Sequence, residues 1–270
     1  MKPIGIIAGN GRLPKLFAKK AKSNGFSVHV AAIKGEADPE IEMQADSTAW
    51  LALGRFEKMV AYFKAHRVEN AVMLGGVDKT KIFSRVEPDA RTISILADMG
   101  HTHDDALLRA FADALAADGI EVLPSTLLLP ELLAEKGCWT VREPTAGEYA
   151  DIEIGFRAAK KIGELDIGQS VVVAGGSVLA VEAVDGTDAT ILRGGKLADG
   201  PCVVVKVSKP GQDLRFDVPA VGCETIRVMA RAGASVLAVE AGRALVFDKK
   251  EMVGLADAAG IAVVAVTGGS

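Results

Sequence analysis

"IGIIAGNGRLP", residues 4–14, sets a β-branched apolar run directly against a Gly-Asn-Gly turn, followed by a leucine and a proline that open a helical pattern. A short apolar run bounded by glycine is what a strand buried on both faces looks like. From Leu13 onward the apolar positions recur at helical spacing as far as Gly25, a favoured helix stop. The same strand-then-helix alternation continues outward. "SVHVAAI" (27–33) is a second strand, Gly54 to His66 a second helix, and "NAVMLGG" (70–76) a third strand ending in a glycine pair. Asp104 to Asp118 is a further helix, stopped by Gly119 and followed by the strand "IEVL". This alternation predicts a Rossmann-like, parallel, doubly wound sheet.

Across residues 124–148 the pattern loosens, with three prolines and two glycines in "PSTLLLPELLAEKGCWTVREPTAGE". The boundary is expected near 135–145, giving an N-terminal domain over 1–135 and a C-terminal domain over 136–270. The second half opens with a helix from Ala146 to Leu165. It continues through closely spaced β runs: "QSVVVAGG", "SVLAVEAV", "ATILR" and "CVVVKVS". A helix over Glu224–Ala232, the runs "SVLAVEAG" and "RALVF", a helix over Lys249–Ala259 and a last strand "IAVVAVT" complete it. The expectation is a mixed α/β domain with more antiparallel character than the first. The heptapeptide "SVLAVEA" occurs twice, at 177–183 and 235–241, too short an echo to establish a repeat.

At 270 residues, the chain is long enough for two domains. A formal net charge of −4 leaves no basic footprint for nucleic acid. Three cysteines, odd in number and without a framework spacing, fit a reducing compartment. The start "MKPIGIIAGNG" is too glycine-rich for a signal peptide, and no apolar run approaches the ~18 residues of a membrane span. A soluble, cytoplasmic protein is expected, touching a membrane surface only transiently.

Several motifs carry chemistry. In "IAGNGRLP", Gly9, Asn10 and Gly11 lead a strand into a helix, where backbone N–H groups and the helix dipole favour an anion. The dinucleotide fingerprint is incomplete, because Pro14 takes its last position and the second strand ends in Ile33-Lys34-Gly35 with no acid. The bland reading is a tight turn; a nucleotide or sugar contact competes with it. Gly75 and Gly76 in "LGGVDKTKIF" leave room for a ligand beside the backbone, with Lys79 and Lys81 following. In "HTHDDALLR" the histidines lack metal-ligand spacing; Asp104 suits a helix cap, and Asp105 and Arg109 stand at i, i+4. "VEAVDGTDATILR" sets Glu182 on a strand and an Asp-Gly hairpin signal at 185–186, which leaves Thr187 and Asp188 unexplained by turn chemistry.

The densest stretch is "KVSKPGQDLRFDVPAVGCETI" (206–226), with Lys206, Lys209, Gln212, Asp213, Arg215 and Asp217 beside an apolar strand. Surface ion pairs contribute little and do not require this composition. Phosphoryl chemistry does: cations neutralise phosphate oxygens, and carboxylates hold Mg²⁺ or orient water. If "LRFDV" is a strand, Arg215 and Asp217 share one face. Gly222 to Thr225 opens a helix, a second anion site.

These motifs together resemble the LpxI-type UDP-2,3-diacylglucosamine pyrophosphatases of lipid A biosynthesis. The resemblance runs from "IAGNGRLP" through "DDALLRA" to "AVEAVDGTDATILR" and "VVVKVSKPGQDLRFDVPAVGCETI". Asp185 stands where the family pattern has Glu, and His103 where it has Gly before the acid pair; neither removes a carboxylate. The resemblance implies Mg²⁺-dependent hydrolysis of UDP-2,3-diacylglucosamine to 2,3-diacylglucosamine 1-phosphate (lipid X) and UMP. It also implies two domains with the substrate between them, and a homodimer. The catalytic candidates are Asp217, Asp213, Lys206, Lys209 and Arg215; the residues alone leave open which carboxylates hold the metal, and Asp217 and Asp188 are the expected ligands. Substrate contacts are expected from Gly9, Asn10, Gly11, Leu13, Gly75, Gly76 and Asp105 in the first half. In the second half they are expected from Thr187, Asp188, Arg193, Gln212 and Thr225. A nucleotide-binding oxidoreductase and a non-catalytic sensor of a phosphorylated lipid precursor are the competing classes.

Overall fold

The structure, a computed structural model, describes residues 1–77, 87–97, 104–216 and 218–268. The chain divides into two units: Met1–Pro130 with Asp213–Asp217, and Glu131–Gln212 with Val218–Ser270. In the first unit the strands β1 (Lys2–Ala8), β2 (Phe26–Ile33), β3 (Ser47–Leu51), β4 (Asn70–Leu74) and β5 (Glu121–Val122) form one sheet. Its order is β3-β2-β1-β4-β5 and every pairing is parallel. The order reverses between β1 and β4, so the turns after these two strands meet at the switch point where such sheets take ligands. Helix α1 (Leu13–Ser23) buries Phe17, Ala18 and Ala21, and α2 (Phe56–Ala65) buries Phe56, Met59, Val60 and Phe63. Both sets follow the three- and four-residue spacing of a single helical face. Two further helices are α3 (Ala90–Ala97) and α4 (Asp104–Ala117). Ala112 and Leu115 of α4 join the core under α2, together with Phe216 from the 213–217 segment.

Strand β3 and helix α3 lie outside the sequence expectation. All five residues of β3 are only half-buried, so no alternation of apolar and polar betrays it. It is fixed instead by long-range polar bonds, such as Asp46 accepting from Val28 N–H at 2.7 Å. Asp89 shows the same logic: its carboxylate accepts Thr92 N–H (2.9 Å) at the start of α3 and Glu57 N–H (2.7 Å) at the start of α2. One side chain thereby caps two helices, satisfying donors that neither helix can satisfy internally.

The second unit holds a mixed sheet. Strands β6 (Gly137–Cys138), β7 (Ser170–Ala174), β8 (Ser177–Val181), β9 (Cys202–Lys206), β11 (Ala234–Glu240) and β13 (Ala262–Val266) are ordered β6-β13-β11-β9-β7-β8. β9, β11 and β13 run parallel, while β7 is antiparallel to β8 and β9, and β6 is antiparallel to β13. A short parallel pair, β10 (Ala220–Val221) with β12 (Leu245–Val246), lies apart from this sheet. Helix α5 (Ala146–Glu164), opened by a Thr145–Glu148 capping box, packs Ile152, Phe156 and Ala159 on Val171, Val173, Val203 and Val205. The opposite face (Val172, Cys202, Val204, Leu237 and Val263) meets α6 (Gly186–Leu197), α7 (Cys223–Ala232) and α8 (Lys249–Ala258). Alternate residues of each strand thus serve opposite cores, as the period of two requires.

Three sequence expectations are corrected here. "ATILR" is not a β run but the middle of helix α6, with Thr190, Ile191 and Gly194 buried at helical spacing. The Asp185-Gly186 pair starts that helix instead of turning a hairpin. Gly194 and Gly195, which weaken a helix intrinsically, are needed for close packing: a Cβ on Gly194 would meet Val172 Cβ at 2.5 Å. The "LRF" of "LRFDV" is not a strand either, because residues 214–216 form a turn. Asp213 builds it, accepting Arg215 N–H on its carboxylate (3.0 Å) and Phe216 N–H on its carbonyl (3.1 Å). That local bond outcompetes an extended conformation.

Two predictions come from this architecture. Gly194→Ala should destabilise the protein by about 1–3 kcal/mol through overpacking against Val172. Urea unfolding measures this, and an unchanged midpoint would contradict the packing. The second concerns His29, whose ring lies 4.4 Å from that of His66 and whose Nδ1 is 2.8 Å from Ser47 Oγ. Ser47 Oγ is in turn 2.7 Å from Tyr62 OH and 3.3 Å from His66 Nε2. Burial, then the neighbouring His66, lowers the His29 pKa from its ordinary 6.5, with Asp46 opposing. The unfolded chain therefore takes up this proton first as pH falls. The stabilisation is complete above about pH 6.5 and is lost as pH drops through the lower folded value. Thermal unfolding at pH 7.5 and 5.5 should show a drop that is smaller in His29→Gln; an equal drop in both would contradict the assignment.

Candidate active site

Every residue of β9 is buried, and its last position is Lys206. Lys206 shares a strand face with Cys202 and Val204, so its side chain runs toward α6 and α7. Its Nζ donates to Thr187 Oγ1 at 3.1 Å and to the Ala220 carbonyl at 3.1 Å. Thr187 stands in the first turn of α6 and donates its hydroxyl proton to Glu182 Oε1 at 2.8 Å. Ser170 Oγ lies 3.4 Å from the same hydroxyl oxygen. Around this group opens a cavity of about 390 Å³. Its wall includes Gly186, Thr187 and Asp188 from the start of α6, Glu224 and Thr225 from the start of α7, and Lys206 between them. Two helix N-termini thus border a buried ammonium. Asp185 makes no side-chain cap to α6, so that helix's first N–H groups have no side-chain cap in their way. N–H donors, two positive dipole ends and a lysine are the groups here that suit phosphate oxygens, and they stand beside the carboxylates of Asp185, Asp188 and Glu224.

The carboxylates of Asp188 and Glu224 lie in the first turns of their helices on this wall. Hard oxygen donors beside a phosphate-binding lysine fit Mg²⁺, which takes one or two carboxylates and completes its shell with substrate oxygens and water. Among the described residues, the cluster of three metal-capable side chains within 4.8 Å of one another is Cys223, Asp248 and Glu251. It includes a thiol and excludes Asp188, so its donor set does not suit Mg²⁺.

Other sequence candidates have different partners. Lys209 pairs with Asp166. Gln212 is buried and accepts from Ser208 Oγ (3.0 Å) and Lys209 N–H (2.8 Å), pinning the 208–212 loop. Arg193 donates to Asp185 (3.0 Å) and to the Val181 carbonyl (3.1 Å), bracing the start of α6; that bond holds the Asp185 carboxyl below its usual range. Thr225 accepts from Gly222 N–H in the α7 cap. Asp213 and Arg215 belong to the first unit, joined by a forked ion pair with Arg215 NH2 2.7 Å from Asp213 Oδ2. That pair lowers the Asp213 pKa, helped by Arg109 of α4, whose Nε is 3.8 Å away. Arg109, offered to Asp105 by spacing, faces Asp213. Ser125 Oγ holds the turn through the Leu214 carbonyl at 3.2 Å.

At the switch point of the first unit, Gly9, Asn10, Gly11, Gly75 and Gly76 come together. Asn10 N–H donates to the Gly76 carbonyl (2.8 Å), and Gly76 N–H donates to Asn10 Oδ1 (3.1 Å). A Cβ on Gly9 would lie 2.2 Å from Gly76 O, and one on Gly75 would lie 2.1 Å from Asn10 O, so both glycines are sterically required. Leu13 opens α1 with Pro14 in its first turn, a position that needs no N–H. Glu36, three residues past the end of β2, accepts from Asn10 Nδ2 at 3.2 Å. Spacing gave no sign of it, nor of Glu182 and Glu224 as partners of the cavity. Asp217, Lys79, Lys81, His101, His103 and the Asp105 side chain lie outside the described residues.

Comparison with known proteins places both halves. Residues 3–132 match the LpxI N-terminal domain and residues 135–264 the LpxI C-terminal domain. The chain is 34% identical to the UDP-2,3-diacylglucosamine pyrophosphatase LpxI of Caulobacter vibrioides over 280 aligned positions, covering 98% of each protein. Solved structures give weaker likenesses. N5-carboxyaminoimidazole ribonucleotide synthetase from Thermotoga maritima aligns over 68% of this chain and 42% of its own, at 16% identity and a TM-score of 0.26. N5-carboxyaminoimidazole synthetase from Staphylococcus aureus aligns over 78% and 43%, at 14% identity and a TM-score of 0.27. This chain spans less than half of either, and at those scores neither supports an argument. Matched over both domains and nearly its whole length, the chain belongs to the LpxI family.

Proposed function

We propose that this protein hydrolyses the pyrophosphate bond of UDP-2,3-diacylglucosamine, releasing 2,3-diacylglucosamine 1-phosphate (lipid X) and UMP, a step of lipid A biosynthesis. The observation that carries the reading is the Lys206–Thr187 pair held between two helix N-termini in a family member. A diphosphate in that cavity meets an ammonium and two sets of N–H donors that need no reorganisation as charge develops on the leaving oxygen. Water adds to phosphorus and gives up a proton to solvent or a carboxylate, the P–O–P bond breaks, and the leaving phosphate keeps the electron pair beside the Lys206 ammonium.

Mg²⁺ is proposed as the cofactor, with Asp188 and Asp217 as its ligands and Glu224 the further carboxylate on the cavity wall; when bound, it supplies Lewis-acid neutralisation of phosphate oxygens. Asp217 either holds that ion or orients the attacking water. Asp213, Arg215 and Lys209 are proposed as further catalytic groups. The switch-point loops with Leu13, and Asp105, are proposed for nucleotide or sugar contacts. Thr187, Asp188, Arg193, Gln212 and Thr225 are the proposed contacts from the second half. Among the described residues no helix is long and apolar enough to cross a membrane. A cytoplasmic homodimer that meets its diacylated substrate by transient contact with the inner-membrane surface is the accompanying proposal.

Release of UMP from UDP-2,3-diacylglucosamine tests the activity, and absence of turnover with bound substrate would instead favour a sensor. Exhaustive EDTA treatment should abolish turnover and added Mg²⁺ restore it; full activity without metal would contradict the cofactor. Asp217→Ala should lose roughly 10³-fold or more in kcat while remaining folded, and Asp217→Asn nearly as much. A folded Asp217→Ala protein within tenfold of wild type would sink that role and pass it to Asp213 or Asp188.

A further inference from the structure

The repeated heptapeptide "SVLAVEA" ends near a buried glutamate in both copies, Glu182 and Glu240, each 8% exposed. A carboxylate removed from water is tolerated only when its oxygens are bonded. Glu240 spends them on the fold, accepting Ser208 N–H (2.9 Å) and Lys160 Nζ (2.7 Å). Glu182, one residue past β8, accepts Gln169 N–H on Oε2 (3.2 Å) and the Thr187 hydroxyl on Oε1 (2.8 Å). Its second bond therefore reaches a residue on the cavity wall.

We infer that Glu182 is a positioning residue for Lys206, acting through the direction of the Thr187 hydroxyl. The inference rests on the cavity being the diphosphate site proposed above. A threonine hydroxyl has one proton and two lone pairs. An ionised glutamate can only accept, so the proton goes to Glu182 and both lone pairs are left for donors. Lys206 Nζ takes one at 3.1 Å, and Ser170 Oγ, at 3.4 Å, faces the other. Without the carboxylate, the hydroxyl proton is free to turn toward the ammonium, setting donor against donor. Lys206 would then keep only the Ala220 carbonyl of these two oxygens, and its charge would no longer be aimed by two fixed points. The main chain that carries this carboxylate is closely packed: a Cβ on Gly168 would meet Glu182 O at 2.3 Å. A rigid hairpin thus sets the polarity of one hydroxyl, and that hydroxyl sets a lysine.

Glu182→Gln is the informative change, because the two donors bond to different carboxylate oxygens, and an amide replaces one of those oxygens with an NH2 donor. Isothermal titration with UDP, and kcat for UMP release, would be measured for wild type, Glu182→Gln, Thr187→Val, Thr187→Ser and the Glu182→Gln/Thr187→Val double variant. Circular dichroism and calorimetric stoichiometry would report the folded fraction of each. Glu182→Gln should weaken UDP binding about tenfold and lower kcat about 30-fold. Thr187→Val should do the same, Thr187→Ser should recover most of that loss, and the double variant should be no worse than Thr187→Val alone. Losses that add in the double variant would show that Glu182 acts independently of Thr187, which overturns the inference. Should Glu182→Gln not fold, Glu182→Asp, which keeps the charge but shortens the reach to Thr187, replaces it in the cycle, and wild-type affinity in either Glu182→Asp or Thr187→Val overturns the inference. A wild type that binds UDP without hydrolysing UDP-2,3-diacylglucosamine would defeat the proposed function, while the UDP cycle still tests this coupling. A wild type that binds no UDP would overturn both the cavity assignment and the coupling.

Discussion

A lysine ammonium at the end of a fully buried strand must be given oxygens, and the second unit is arranged around that need. Lys206 closes β9 at 9% exposure and is met by Thr187 Oγ1 and the Ala220 carbonyl. Stranding such a charge in the interior would cost several kcal/mol. The constraint reaches far along the chain. Helix α6 has to begin at Gly186 to place Thr187, the β7–β8 hairpin has to bring Glu182 behind it, and β10 has to turn a carbonyl inward. The same arrangement leaves the two helix N-termini bordering one cavity. The oxygens that accept from the lysine in the resting protein are also what direct it at an anionic ligand.

The first unit meets a different constraint by omitting side chains. Its two central strands end in turns so close that no Cβ fits at Gly9 or Gly75, and the main chain of one turn bonds directly to the other. Asn10 supplies the polar tie, to Gly76 N–H and to Glu36. Glycine here is set by contact between backbones, at the switch point where parallel sheets take ligands.

The sequence revealed most where apolar runs are long. Strands β1, β2, β4, β9, β11 and β13 are runs of Val, Ile and Ala bounded by glycine or charge, and the helices α1, α2, α4, α5, α7 and α8 keep clean spacing. It misled where local chemistry overrode composition. Thr190 and Ile191 favour a strand by type, yet they lie in a helix because Gly194 and Gly195 let that helix approach Val172 and Ala232. Asp213 folds "LRF" into a turn by bonding to Arg215. Within the charged stretch, three bonds had no signature in the spacing: Lys209 to Asp166, Gln212 to Ser208 and Asp213 to Arg215. Glu36 and Glu182 were invisible as site residues for another reason: their bonds span 26 and 5 positions without a motif that announces them.

The central claim, that a diphosphate binds beside Lys206 between the starts of α6 and α7, is tested most directly by nuclear magnetic resonance on isotope-labelled protein titrated with UDP and Mg²⁺. The account predicts saturable shifts in the amides of Gly186, Thr187, Asp188 and Thr225 and in the Thr187 methyl group, together with a shift of the Lys206 side-chain resonances. Saturable binding that leaves these signals still while moving others in the second unit would contradict it.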